Sequence, residues 1–473
     1  MNLTQKIFSK DANIALVFFI FLSVLILPLD FTGDRTDGIF HYLIAKTSLK
    51  YPSYYFDLWG KPVFTLIAMP FAQFGIRGMH FMNILCAVLT AFLIQQSARK
   101  LKMKFTWLVY VLLLTTPVYF QQLYTMMTEP LFALFLAWII YLYIDQKSAS
   151  AAFFTSLLPL VRQEGYILIV LLFVIYLFKG YYRFLPHLVL GLLLFSFLGF
   201  IFQGDFFILI NSHPYSGEDL YGHGTFLHFF ERAEIMFGIF LEVAFVFGFF
   251  HLLFHSKKYF SQRKNFSSEE NHAFESRFFV TAIFAVLFFM AHVIMWWKGI
   301  FSSFGLERVM ACIVPALVFV ALYAVNVWND FFSIKNIIKA RWILPTLIMV
   351  VAFLILFSRS FFPPKVNLTN HEAVLTDAYS WVKNNSIQYK KIYFSHPYNI
   401  LLFDLNPKER TDSDELLYVG SPQNMDRQSL IIWDSDFGKM TRFGREMLLA
   451  DTAVSVLKTF RADNYEVLVG YKK

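Results

Sequence analysis

Apolar runs long enough to cross a membrane recur through the first 360 residues, and nothing else in the sequence restricts the fold as strongly. They lie near 12–30, 79–98, 105–123, 129–145, 150–163, 165–179, 185–203, 234–255, 278–297, 308–328 and 342–360. A helix spanning the hydrocarbon core needs about 20 mostly apolar residues, with a range of about 17–25. Backbone groups in lipid must pair within their own segment, so runs of this length cross as helices. The reading is a polytopic α-helical membrane protein of about 11 spans. The shortest candidates are 150–163 and 165–179, parted by Arg162, Gln163 and Glu164. Residues 62–76 are apolar but short and bounded by Lys61 and Arg77, which suits a re-entrant or surface-lying segment. Only 16% of the chain is charged and 57% is hydrophobic, against about 25% and about 45–50% in soluble domains. A water-soluble enzyme is excluded. The two cysteines, Cys86 and Cys312, sit inside apolar runs, so a disulfide scaffold is excluded too.

The chain divides at about residue 360. Residues 361–473 hold 14 basic and 14 acidic side chains, whereas residues 1–360 hold 27 and 19, so the formal +8 belongs to the membrane part. With the N-terminus in the cytoplasm and alternating spans, 17 basic residues of the membrane part fall on the cytoplasmic side and 10 on the other. That is the asymmetry of membrane orientation, not of a nucleic-acid surface. An odd span count puts residues 361–473 outside the cytoplasm. The first run lacks a small-residue cleavage site and reads as a retained anchor.

The tail alternates patterns. Helical spacing runs from His371 to Asn384, and strand-like runs follow at Lys391–Phe394, Ser429–Trp433 and Tyr465–Tyr471. A small extracytoplasmic α/β domain is expected, without metal-ligand spacing, nucleotide loop or nucleophile elbow.

Chemistry-bearing residues collect in the outside loops. The first loop carries Asp34, Asp37, His41, Asp57 and Lys61, with an amphipathic helix expected from Asp37 to Lys50. Glu129 heads a span, Arg162 and Glu164 lie in LPLVRQEGY, and Arg308 lies in SSFGLERVM. Ionisable groups at membrane depth are costly and therefore candidates for function, the bland reading being internal salt bridges such as Arg162 with Glu129 or Glu164. Asp37 has its own bland reading, a helix N-cap. The loop 204–233 contains Tyr221, His213, His223, His228, Glu218 and Asp219, whose spacing matches no standard metal site.

These segments resemble the GT-C class of membrane glycosyltransferases, notably bacterial members related to lipid A aminoarabinose transferases and protein O-mannosyltransferases. The resemblance rests on Asp37, the stretch His41–Ala45, and Trp59-Gly60-Lys61-Pro62, in that order. FGIRGMHFMNILCAVLTAFLIQQSARKL resembles the family's second span, MTEPLFALFL and LLPLVRQEG its fourth to sixth spans, and FGLERVMACIVPAL its late loop. The similarity covers roughly residues 12–330. Many members carry Asp-Glu at the first-loop position, where this chain has Asp37-Gly38, so Asp34 is the alternative second carboxylate and any divalent metal requirement stays open.

The resemblance implies transfer of a sugar from a polyprenyl-phosphate donor to an acceptor hydroxyl on a lipid, glycan or protein, outside the bacterial inner membrane. Asp37, with Asp34 behind it, is assigned the catalytic carboxylate. Lys61, Arg162 and Arg308 are assigned the donor phosphate, and His41, Glu129, Glu164, Tyr221 and His223 the sugar or acceptor. The alternatives are a lipid-linked glycan flippase or transporter, and a glycan polymerase or ligase. Against a transporter, the chain shows no internal repeat.

Overall fold

The computed structural model describes residues 3–29, 32–33, 36–212, 214, 222–262, 268–334, 370–409, 411–440 and 444–473. Among them, five helices are long and apolar enough to cross a membrane: Gly75–Lys100, Tyr182–Gln203, Ile239–Ser256, Glu270–Lys298 and Glu307–Phe331. The first helix, Leu3–Ile26, packs on Gly75–Lys100. The expected span at 342–360 lies outside the described residues.

The other expected spans are shorter than the sequence pattern implied. The run 105–123 breaks into Leu108–Leu114 and Pro117–Gln121, because Pro117 has no backbone N–H to continue the ladder. Residues 150–163 form Ser148–Leu157 plus a 3₁₀ turn at Leu158–Leu160, where Pro159 intervenes, and 165–179 form Gly165–Phe178. Tyr110 and Tyr119 are almost fully buried, so the pieces of the 105–123 run pack against the rest of the protein. The segment 62–76 folds as an 11-residue helix, Pro62–Ala72, too short to span.

The C-terminal segment is a five-stranded sheet with helices. In chain order its strands are β1 (Lys391–Phe394), β2 (Ser413–Glu415), β3 (Ser429–Asp434), β4 (Val454–Ala462) and β5 (Tyr465–Lys472), arranged β2-β1-β3-β5-β4. β1 lies parallel to β2 and β3, and β5 runs antiparallel to β3 and β4. The helix Asn370–Asn384 covers β4 and β5. Three expected strands and the helix match; β2 and β4 had no sequence counterpart.

This segment rests on the first loop. Thr32 hydrogen-bonds Glu372, Lys46 faces Asp404 at 3.5 Å, Tyr54 donates to Asn406, and Lys408 pairs with Asp57 at 2.7 Å.

Candidate active site

Asp37 opens the helix Asp37–Thr47, whose N-cap residue, Thr36, makes no side-chain capping bond. The Asp37 carboxylate instead accepts a hydrogen bond from Arg308, so the cap reading gives way to a tertiary ion pair. Arg308 sits in the 3₁₀ turn Glu307–Ile313 that leads into the Val314–Ile334 helix. Its Nε lies 3.6 Å from Glu129 Oε1.

Glu129 begins the helix Glu129–Ile144 and is fully buried. The same oxygen is 2.9 Å from Arg162 Nη1, and Arg162 Nη2 is 2.9 Å from Glu164 Oε1. Arg162 Nη1 also donates to Thr128 Oγ1 at 2.8 Å. His292 Nε2 lies 3.7 Å beyond Glu164. Five residues picked from four separate stretches of sequence therefore form one chain of ion pairs, Asp37–Arg308–Glu129–Arg162–Glu164. Burying such charges is tolerable only because each has a partner. Burial alone would raise the Glu164 carboxyl, but the adjacent Arg162 guanidinium holds it well below the usual carboxylate range.

Gly165 shapes the turn that carries Arg162 and Glu164. A Cβ there would stand 2.6 Å from the backbone of Leu158 and Pro159, so only glycine lets the Gly165–Phe178 helix start this close to the preceding turn.

Lys61 is the second centre. It is buried and precedes Pro62, with φ +64° and ψ 96°, outside the ordinary regions for a non-glycine residue. Such a conformation costs of order 1–3 kcal/mol and persists only where neighbours enforce it. The turn 57–60 does so. Asp57 Oδ1 accepts from Gly60 N at 2.8 Å, Thr65 Oγ1 donates to Gly60 O at 2.9 Å, and Lys61 Nζ donates to Leu58 O at 3.3 Å. Burial lowers the Lys61 ammonium to about 8, with Arg162 adding to the shift and Glu164, Asp57 and Asp37 opposing it. Lys61 thus belongs to the same electrostatic neighbourhood as the ion-pair chain.

His41 stacks on Trp59 with ring centroids 4.9 Å apart. Its Nδ1 is buried without a hydrogen bond among the described residues, and burial, then Lys61, Arg162 and Arg308, hold the ring well below its usual value. His41 is neutral at pH 7.

Asp34 and Tyr221 lie outside the described residues, as do His213, Glu218 and Asp219. His223 is exposed, and His228 Nε2 is 3.0 Å from the Gly305 carbonyl. Among the described residues no group of three or more His, Cys, Asp or Glu is placed to hold a metal ion.

Sequence reasoning missed His292, Asp57 as an organiser of the turn, and Lys408. A single histidine inside the apolar run FFMAHVIMWW was a usable signal. Lys408, in a polar loop of the tail, offered none.

The overall fold is that of a solved structure, ArnT from Cupriavidus metallidurans bound to undecaprenyl phosphate. It superposes with a TM-score of 0.63 over 99% of this chain and 98% of that chain, at 12% sequence identity. The sequence matches no protein-family model and no curated protein. The chain thus shares that structure's fold, in line with the fold expected from the sequence motifs.

Proposed function

We propose that the chain is a glycosyltransferase that moves a sugar from a polyprenyl-phosphate carrier to an acceptor hydroxyl at the outer face of the bacterial inner membrane. In this reading residues 1–360 form the catalytic membrane part, and residues 361–473 a soluble domain on the same outer side. The observation that carries it is the meeting of Asp37 with Arg308, in line with Glu129, Arg162 and Glu164 and beside Lys61. A fold shared with a protein solved on undecaprenyl phosphate supports the choice of lipid carrier.

The charges suggest how the residues divide the work. Arg162 has two buried carboxylates as partners, which suits a strut that fixes the turn better than a free phosphate clamp. Lys61 and Arg308 are the better phosphate cations. Arg308 also holds Asp37, and donor arrival offers it a phosphate oxygen in exchange. Asp37 is then released to accept the proton of the acceptor hydroxyl as that oxygen attacks the anomeric carbon. The bond from the anomeric carbon to the phosphate oxygen breaks, and the electron pair leaves with polyprenyl phosphate. Lys61 and Arg308 stabilise the charge that grows on this leaving group. His41, neutral and stacked on Trp59, is assigned to the sugar side in this scheme.

The test is single-turnover transfer from a synthetic polyprenyl-phosphate sugar into a crude envelope acceptor fraction, following both labelled sugar and released polyprenyl phosphate. Release of polyprenyl phosphate with matching acceptor labelling is expected. Binding of the donor with no release, or movement of intact donor across a vesicle membrane, would favour the flippase instead.

A further inference from the structure

The loop Asp404–Glu409 of the C-terminal segment touches the first loop at the turn that holds Lys61. Asn406 Oδ1 accepts from the Tyr54 hydroxyl and from the backbone N–H of Lys408, the latter at 3.0 Å. This fixes where Lys408 leaves the loop. Lys408 Nζ then reaches Asp57 Oδ2 at 2.7 Å and lies 5.9 Å from the centroid of the Trp59 ring. Asp57 divides its oxygens, Oδ2 taking Lys408 and Oδ1 taking Gly60 N.

The turn therefore has two anchors. One is internal, from Thr65 and Leu58. The other comes from a part of the chain some 350 positions away. Trp59 stacks on His41 and is approached by Lys408. Lys61 stands at the exit of this turn with a left-handed backbone, so a small rotation of residues 57–60 would swing its side chain.

We propose that Asn406 and Lys408 form a latch that sets the position of Lys61, so that the C-terminal segment governs capture of the lipid phosphate. The inference rests on the reading of Lys61 as a phosphate cation. Lys408 is a positioning residue: it acts through Asp57 and has no contact with substrate in this scheme. An ion pair of this exposure contributes little to overall stability, so its use must lie in the geometry it maintains.

The experiment measures equilibrium binding of radiolabelled undecaprenyl phosphate by the full-length protein in detergent. In parallel, the pH midpoint of Lys61 acylation is read by peptide mass spectrometry. Lys408→Ala is expected to weaken lipid-phosphate binding roughly tenfold, the scale of one lost charge-assisted contact. It should also move the Lys61 midpoint upward from about 8, towards an ordinary lysine, as the side chain leaves its buried position. Lys408→Arg should restore both, and Tyr54→Phe, which deletes only the hydroxyl on Asn406, should reproduce part of both. If Lys408→Ala does not fold, Tyr54→Phe decides alone. Unchanged binding together with an unchanged Lys61 midpoint would overturn the latch. Failure of the wild-type protein to bind undecaprenyl phosphate would overturn the proposed function instead, while the acylation midpoint would still judge the latch.

Discussion

Arg308 is hydrogen-bonded to Asp37 although 271 positions separate them in the chain. The pair ties the first loop to the turn before the Val314–Ile334 helix, and it occupies Oδ2 of the Asp37 carboxylate. In the mechanism proposed above, a base occupied by a cation until the cation finds a better anion is a gated base. The gate would open only with donor in place, which disfavours deprotonating an acceptor when there is nothing to transfer.

Asp37→Asn should slow single-turnover transfer by roughly 10²–10⁴-fold, the usual loss for a general base. Asp37 is partly exposed, so losing its half of the ion pair should cost no more than about 1 kcal/mol. Donor binding measured separately should survive. Near-normal transfer would remove Asp37 from the mechanism and direct attention to Asp34.

Arg162→Ala should act first on stability. It would leave Glu129, fully buried, and Glu164 without their shared cation, and a broken buried pair costs about 3–5 kcal/mol. Thermal unfolding in detergent should shift down clearly. A variant that melts like wild type but no longer binds lipid phosphate would restore Arg162 to the phosphate clamp.

Donor affinity should depend on pH through Lys61. The lysine is charged below about 8, so affinity is full at pH 7 and declines as pH rises through that value. If only the charged form binds, the apparent dissociation constant at pH 9 exceeds that at pH 7 by about tenfold. The phosphodiester itself does not titrate in this range. Lys61→Arg, whose guanidinium stays charged, should flatten the profile; a profile that persists in Lys61→Arg would assign the titration elsewhere.

Gly165→Ala should impair function beyond the usual cost of a methyl group. The added carbon collides with the backbone of Leu158 and Pro159, and relieving that collision moves the Arg162–Glu164 turn. Reduced transfer per folded molecule, with donor binding also weakened, is the expected signature. An unaffected transfer rate would mean that the turn tolerates displacement.

Much of this arrangement was legible in the sequence, for a physical reason. A charge that survives inside or beside an apolar run must have a partner, so Glu129, Arg162, Glu164 and Arg308 announced themselves by being expensive. The pairing of Arg162 with Glu129 and Glu164 was among the sequence expectations, but that of Asp37 with Arg308 was not legible, because it depends on how segments far apart in sequence pack. Span lengths were overread where proline cut a run, at Pro117 and Pro159, since hydropathy counts side chains and not backbone N–H groups. In the tail, the apolar strands β1, β3 and β5 stood out. β2, only Ser413–Glu415, is too short and acidic to show a pattern, and β4 lies at an edge with much of its length exposed, so burial imposed little on its sequence.

The contact between Tyr54 and Asn406 spans 352 positions, and this has a bearing on how the protein is made. Chains are synthesised N-terminus first at about 5–20 residues per second. On that scale the turn holding Lys61 exists for roughly 20–70 s before Asn406 and Lys408 leave the ribosome. For the last part of that interval, once Arg308 has been made, the newborn chain has the cations of the site but not Asn406 and Lys408. Completion of the site is thus tied to completion of the last segment of the chain, so an unfinished polypeptide lacks part of the grip that the finished one has.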